Sequence, residues 1–221
     1  TRSSTKNRCC DGSREKKGNV HHHHHHEESE VIVLTRSHAH TQKRILQRRK
    51  EKLAKLVSKI KSWEEKEKVR SVRLESLSLR KVPPKMFAYR EYLMNVSLSN
   101  NRLRACPPEI WACVSLRTLN LSHNLLKDIP NETEGSLVTL KEYGLMELVA
   151  ENCTELESLD LSHNLIETVP EELGNCGSLK RLILSHNRLK KIFEGCARLN
   201  NLIELDISGN QIEKVPDKMF E

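Results

Sequence analysis

LNLSHNLLKDIP is the sequence of residues 119–130, and two close variants follow it, LDLSHNLIETVP at 159–170 and LILSHNRLKKIF at 182–193. Each variant has aliphatic residues at alternating positions, then Ser-His-Asn, then another aliphatic residue. Recurrence of one short unit is typical of repeat architectures, in which each unit buries its apolar side chains against its neighbours. The sequence therefore predicts a chain built from stacked copies of one coil.

The copies follow the pattern Leu-x-x-Leu-x-Leu-x-x-Asn-x-Leu. Five of them begin 23, 40, 23 and 23 residues apart, at Leu93, Leu116, Leu156, Leu179 and Leu202. A weaker copy without the asparagine is placed at Leu74. This pattern with a period of about 20–29 residues is the mark of leucine-rich repeats. The predicted fold class is α/β, a curved leucine-rich repeat solenoid with a parallel sheet on its concave face.

Each position of the repeat has a physical role. Leu119 and Leu121 alternate inward on a short strand, and the asparagine that follows is expected to bond backbone groups of neighbouring coils with its amide. Such a ladder would use Asn101, Asn124, Asn164, Asn187 and Asn210.

Cysteine replaces leucine at one core position, three residues before the repeat starts, at Cys113, Cys153 and Cys176. Seven cysteines without a paired cap indicate a reducing compartment rather than a disulfide framework, so a cytoplasmic location is expected.

The recurrent histidines, His123, His163 and His186, precede the asparagine. Asn100 and Gly209 stand at the same position in other copies, and no Asp, Glu or Cys recurs beside it. We interpret these histidines as solvated turn residues and predict neither a metal site nor a catalytic base.

The strand positions that alternate with the core leucines face outward. In this architecture the concave face is the usual binding surface, so the candidate protein-binding residues are Asn95, Ser97, Thr118, Asn120, Ser158, Asp160, Arg181, Ile183, Glu204 and Asp206.

The N-terminal part of the chain differs from the repeats in charge. Residues 1–70 hold 19 of the 37 basic and 9 of the 30 acidic side chains, a balance of +10, whereas the remaining 18 and 21 give −3. Residues 1–40 are predicted to be a disordered basic, His-rich arm. The six histidines at 21–26 could be native or a tag, and the arm could touch acidic surfaces weakly.

Residues 41–70 are predicted to form a basic amphipathic helix that caps the solenoid, with Leu46, Leu53, Leu56, Val57, Ile60 and Trp63 in one apolar stripe. The repeat domain then covers 71–221. The excess residues near 131–147 are either an insertion, which we favour, or a degenerate repeat. No run of apolar residues is long enough to span a membrane.

The 23-residue period and an Ile/Val-Pro pair after the turn resemble short intracellular leucine-rich repeat proteins of the Ras-suppressor and Shoc2 kind. The pair occurs at Val82-Pro83, Ile129-Pro130, Val169-Pro170 and Val215-Pro216, whereas Phe193 replaces the proline. The resemblance implies a solenoid that holds other proteins. The chain begins with Thr1 and ends in the middle of a coil, so a fragment is expected.

The predicted function is that of an intracellular scaffold or adaptor, in which a protein partner binds the concave face. The sequence contains no phosphate-binding glycine loop, paired-cysteine metal motif or nucleophile elbow, so neither an enzyme nor a cofactor is predicted. The alternative is a regulatory module of a larger kinase, GTPase or phosphatase whose catalytic domain lies outside this chain.

Overall fold

The computed structural model of the protein describes residues 24–127 and 153–220. The chain divides into two compact units, Thr1–Arg49 and Lys50–Glu221. A single helix, α1, runs over His24–Glu64. It begins earlier than the predicted residue 41, because a helix extends at little cost once its first turn has formed, and it ends before the predicted residue 70. Of the arm predicted to be disordered over residues 1–40, residues 24–40 belong to α1, and residues 1–23 lie outside the described residues.

Six three-residue strands follow α1. They are β1 (Ser71–Arg73), β2 (Asn95–Ser97), β3 (Thr118–Asn120), β4 (Ser158–Asp160), β5 (Arg181–Ile183) and β6 (Glu204–Asp206). All pair in parallel and in chain order, so they form one sheet. Coils 1 to 6 are named here after the strand that each contains. In coils 1, 2, 4, 5 and 6 the chain returns through 3₁₀ helices at Pro84–Tyr89, Pro108–Ala112, Glu171–Asn175, Glu194–Arg198 and Asp217–Phe220.

The register of the sheet corrects the position of the first repeat. Ser71 pairs with Asn95, so Val69 rather than Leu74 corresponds to Leu93. Val69 and Val72 are buried at positions that hold leucine in most of the other coils, which hid this copy from a leucine pattern. Leu77 then occupies the place of the asparagine.

Strands β3 and β4 are neighbours although their repeats begin 40 residues apart. Leu119 pairs with Leu159, as Leu159 does with Leu182 in the next pair. The intervening chain therefore adds no strand between them, which is what an insertion requires. Residues 131–147 lie outside the described residues, so the insertion itself stays a prediction.

One leucine-rich core runs through all the coils. Leu98, Leu121, Leu161 and Leu184 are at most 2% exposed. Cys113 and Cys176 are buried in the same cluster, and burial raises the pKa of the Cys113 thiol to about 12. The side chain of Cys153 lies outside the described residues. Cysteine acts here as a small apolar residue.

The predicted apolar stripe of α1 is divided between two environments. Leu56, Ile60 and Trp63 pack against the core, whereas Leu53 and Val57 are more than half exposed. Leu46 of the first unit is also exposed. The end of α1 is fixed to coil 1 by polar contacts as well. Tyr89 donates a hydrogen bond to the carbonyl oxygen of Trp63, at 2.9 Å.

Asparagine side chains join neighbouring coils. The Asn164 amide nitrogen donates to the carbonyl oxygens of Leu121 and Leu161, both at 3.0 Å, and its oxygen accepts from the Leu126 N–H. Equivalent bonds connect the other coils through Asn101, Asn124, Asn187 and Asn210. Backbone groups at the end of each strand, which the sheet does not pair, are thereby satisfied.

We expect Asn164→Ala to lower the free energy of unfolding by about 2–4 kcal/mol, because it leaves buried backbone groups of two coils without partners. Asn210→Ala, in the half-exposed last coil, should cost about 1 kcal/mol. Urea denaturation followed by circular dichroism measures both. Equal losses would show that burial does not set the value of these bonds.

Two glycines allow the 3₁₀ helices of coils 4 and 5 to touch. A Cβ on Gly174 would lie 2.3 Å from the carbonyl oxygen of Gly195, and one on Gly195 would lie 2.4 Å from that of Glu171. The Glu171 carboxylate also accepts hydrogen bonds from the N–H groups of Glu194 and Gly195. Close backbone approach therefore requires glycine here.

Gly195→Ala should destabilise the protein by about 1–3 kcal/mol, because the added methyl group must push two coils apart. Gly177→Ala is the matched control, since its Cβ would meet no atom within 4 Å, and it should change stability by less than about 0.5 kcal/mol. Thermal unfolding of the two variants decides the matter. A Gly195→Ala protein as stable as the control would contradict the close packing.

Candidate protein-binding face of the sheet

The outward side chains of the strands lie on the side of the sheet opposite the core, named here the open face. They form two rows across the parallel register. The first row contains Ser71, Asn95, Thr118, Ser158, Arg181 and Glu204, and the second contains Arg73, Ser97, Asn120, Asp160, Ile183 and Asp206. All ten residues predicted from the sequence are thus on this face. Ser71 and Arg73 were missed because the first repeat was misplaced.

Hydrogen bonds run along the first row. Thr118 donates its hydroxyl to the Asn95 side-chain oxygen at 2.7 Å, and Asn95 donates to Ser71 at 3.3 Å. At the other end, Arg181 and Glu204 form an ion pair of 2.8 Å with both side chains about half exposed. Contacts at this exposure contribute little to stability. They do orient the exposed side chains before any partner arrives.

Three residues of the second row have a structural task that sequence reasoning did not foresee. The side-chain oxygens of Asn120, Asp160 and Asp206 each accept two bonds from the serine two residues later, at 3.0 Å from its N–H and 2.7 Å from its hydroxyl. These bonds from Ser208 hold the pKa of Asp206 below its usual range. One oxygen of each side chain is therefore committed to the strand end.

Ile183 contributes little surface. Its side chain lies outside the core cluster, yet the residue is only 5% exposed between Asp160 and Asp206. It supports its neighbours more than it offers an apolar contact.

At the opposite end of the open face, Glu75 accepts a bond from the Ser97 hydroxyl at 2.6 Å. The bond from Ser97 is the main reason that the pKa of Glu75 is lowered, and Arg73 lowers it further.

The three recurrent histidines form a column beside the open face. The rings of His123 and His163 are parallel with centroids 4.1 Å apart, and those of His163 and His186 are 4.3 Å apart. Each residue has φ between 53° and 55°, a left-handed conformation that histidine tolerates better than most residues. The interpretation as exposed turn residues agrees with this placement, but it missed the stacking.

The column ends on Gly209, whose missing side chain leaves room for the His186 ring. The described residues contain no group of three or more His, Cys, Asp or Glu side chains that could hold a metal ion. The pKa of His163 is lowered, first by its desolvation and then by the charges of His123 and His186, while Asp160 opposes the shift. The column therefore resists protonation at its centre.

His163 should titrate below the ordinary pKa of 6.5, and its pKa should rise when both neighbours are replaced, as in His123→Asn/His186→Asn. In the unmodified protein, as pH falls, the unfolded chain takes up a proton on His163 before the folded chain does. The contribution of neutral His163 to stability is therefore complete above pH 6.5, and it declines as pH falls from 6.5 to the lowered pKa of the folded chain. Imidazole proton shifts in NMR report the titration, and an unchanged His163 pKa in the double variant would contradict the coupling.

Comparison with known proteins supports the fold. The family model "Leucine rich repeat" matches residues 67–126 and 148–189, and "Leucine Rich repeats (2 copies)" matches 177–217. No curated protein sequence gives a significant match to the chain. Among the residues that the structure describes, no helix combines the length and apolarity needed to cross a membrane.

Solved structures with this architecture include a leucine-rich repeat protein of Leptospira interrogans, at 28% identity and a TM-score of 0.52 over 64% of this chain. This chain spans 31% of that protein. A chain of the BIR3–SERK2 complex from Arabidopsis thaliana has 28% identity, a TM-score of 0.37, and coverage of 52% of this chain and 54% of its own. The plant peptide hormone receptor RGFR1, in complex with RGF2, has 26% identity, a TM-score of 0.47, and coverage of 62% and 20%.

The two family models together match more than half of the sequence, and they match where the six-stranded sheet lies. The chain is a leucine-rich repeat protein.

Proposed function

We propose that this protein is an intracellular interaction scaffold in signalling and that a protein partner binds across its open face. Leucine-rich repeat domains are generally protein–protein interaction modules. The observation that carries the proposal is the continuous open face itself. Six parallel strands present two rows of mostly polar side chains, and every residue of the first row is exposed or partly exposed among the described residues.

The chemistry of this face supports recognition rather than catalysis. Its exposed side chains are held by one another, as in the Thr118–Asn95 and Arg181–Glu204 contacts. A surface whose side chains are already ordered loses less rotamer entropy when a partner binds. Its charges are of both signs, which favours a specific partner over any polyanion or polycation.

The thiols support an intracellular location. Cys106, Cys113, Cys176 and Cys196 are buried among the described residues, and Cys113 and Cys196 form no disulfide. Burial raises the pKa of both Cys113 and Cys196, so these thiols stay protonated and unreactive. Four core positions filled by thiols suit a compartment in which thiols remain reduced.

Charge changes on the open face should remove the partner. We expect Thr118→Arg/Glu204→Arg to reduce capture of bound proteins by about tenfold, because both side chains are exposed on the open face and neither belongs to the core. Tagged protein is expressed in its source cells, and captured proteins are quantified by mass spectrometry.

The matched control is Gln211→Arg/Glu213→Arg. It changes the charge by the same +3 at exposed residues of coil 6 beyond its strand. It should capture the same proteins as the unmodified chain. If the two double variants lose the same proteins to the same extent while both remain folded by circular dichroism, the open face is not the binding surface.

A further inference from the structure

A second surface lies where the strands of coils 1 and 2 give way to their 3₁₀ helices. Between these two segments is a groove of about 540 Å³, named here the basic groove. Val82, Phe87 and Leu103 line its apolar part, and Arg80, Lys81 and Arg104 line its charged part. The open face contains none of these residues.

The local sequence explains why the coils separate here. In coils 5 and 6 the residues ten positions after the strand start, Lys191 and Lys214, form a backbone bridge. The equivalents in coils 1 and 2 are Lys81 and Ala105, and no backbone bond joins residues 80–84 to 104–107 in the described part of the chain. Coils 4 and 5 also lack this bridge among the described residues, but there the Glu171 carboxylate accepts bonds from the N–H groups of Glu194 and Gly195.

Two features of coils 1 and 2 favour this separation. Paired prolines follow in both coils, at Pro83-Pro84 and Pro107-Pro108, and proline has no N–H to donate. Coil 1 also has one residue more than the 23-residue period, since Ser71 pairs with Asn95. The extra length and the missing donors leave room for the groove.

The floor and the rim of the groove have opposite character. Val82 and Leu103 are buried and Phe87 is partly buried, so the floor is apolar. Arg80, Lys81 and Arg104 are exposed, and none of them forms an ion pair with another described residue. Against these three cations the lining contains one carboxylate, Glu109.

Positive charges follow one another without interruption only at this end of the described repeats. Nine positions after each strand start, coils 1 to 3 carry Arg80, Arg104 and Lys127, whereas Lys190 of coil 5 lies between Glu167 of coil 4 and Glu213 of coil 6. Coils 1 to 3 therefore hold three cations in a row on successive coils, and an anion bound between them would relieve their mutual repulsion.

We propose that the basic groove binds an acidic segment of a partner protein, with a large apolar side chain on the floor and flanking carboxylates on the arginines. Guanidinium groups bind carboxylates through two parallel hydrogen bonds, and both arginines are free to do so. A polyanion without apolar groups would leave the floor unfilled. The proposal is independent of the open face.

The probe is a fluorescein-labelled peptide with the sequence Glu-Asp-Leu-Phe-Glu-Asp, and binding to the full chain is measured by fluorescence anisotropy. Arg80→Glu/Arg104→Glu should weaken binding by about tenfold or more, because it reverses two of the three rim charges. Arg188→Glu/Lys190→Glu is the matched control, with the same charge change at exposed residues of coil 5. It should weaken binding by less than about twofold.

A second peptide, with Ser-Ser in place of Leu-Phe, tests the floor and should bind about tenfold more weakly. Equal losses in the two double variants would reduce the effect to net charge and overturn the proposal. Equal affinity for the two peptides would also overturn it, because the groove would then bind any polyanion regardless of apolar side chains. Failure of the unmodified chain to bind the first peptide would overturn it as well. Thermal unfolding confirms that both variants remain folded.

Discussion

The hydrogen bonds of the asparagine side chain that follows each strand of coils 2 to 6 are the interaction on which the stacked coils depend. At the end of each strand the backbone turns away from the sheet, and its N–H and C=O groups would otherwise be buried without partners. Asn164 bonds two coils whose repeats start 40 residues apart with the same geometry that Asn187 shows over 23. The bond depends on which coils are neighbours in space, so extra residues can be inserted elsewhere in a coil.

Coil 1 shows what replaces this interaction at the end of the array. Among the described residues it follows α1 rather than another coil, and Leu77 rather than asparagine stands at its turn. The end of α1 covers it instead. Trp63 and Ile60 pack against the core, and Lys59 donates to the carbonyl oxygen of Arg73 at 2.6 Å. An apolar helix face with a few polar contacts thus packs against coil 1 in the place where a preceding coil packs against each of the others.

The repeating pattern explains both what the sequence predicted and what it missed. Leucine spacing predicted the parallel sheet and the outward positions, because inward and outward residues alternate on a strand. It did not predict relations between equivalent residues of different coils. The stacking of His123 on His163 and the basic groove both arise from such relations. Three histidines at one repeat position were the available signal, since adjacent coils must bring them close.

Stacking also limits how this protein can vary its surfaces. Each position within the sheet becomes a column of side chains about 5 Å apart, so a residue at one coil constrains the next. His186 can occupy its place because Gly209 leaves the space above coil 6 empty. Arg181 and Glu204 neutralise each other within their row, whereas Arg80 and Arg104 do not. A column in which opposite charges pair holds neighbouring coils together. A column of like charges repels itself, and a partner of opposite charge would stabilise it.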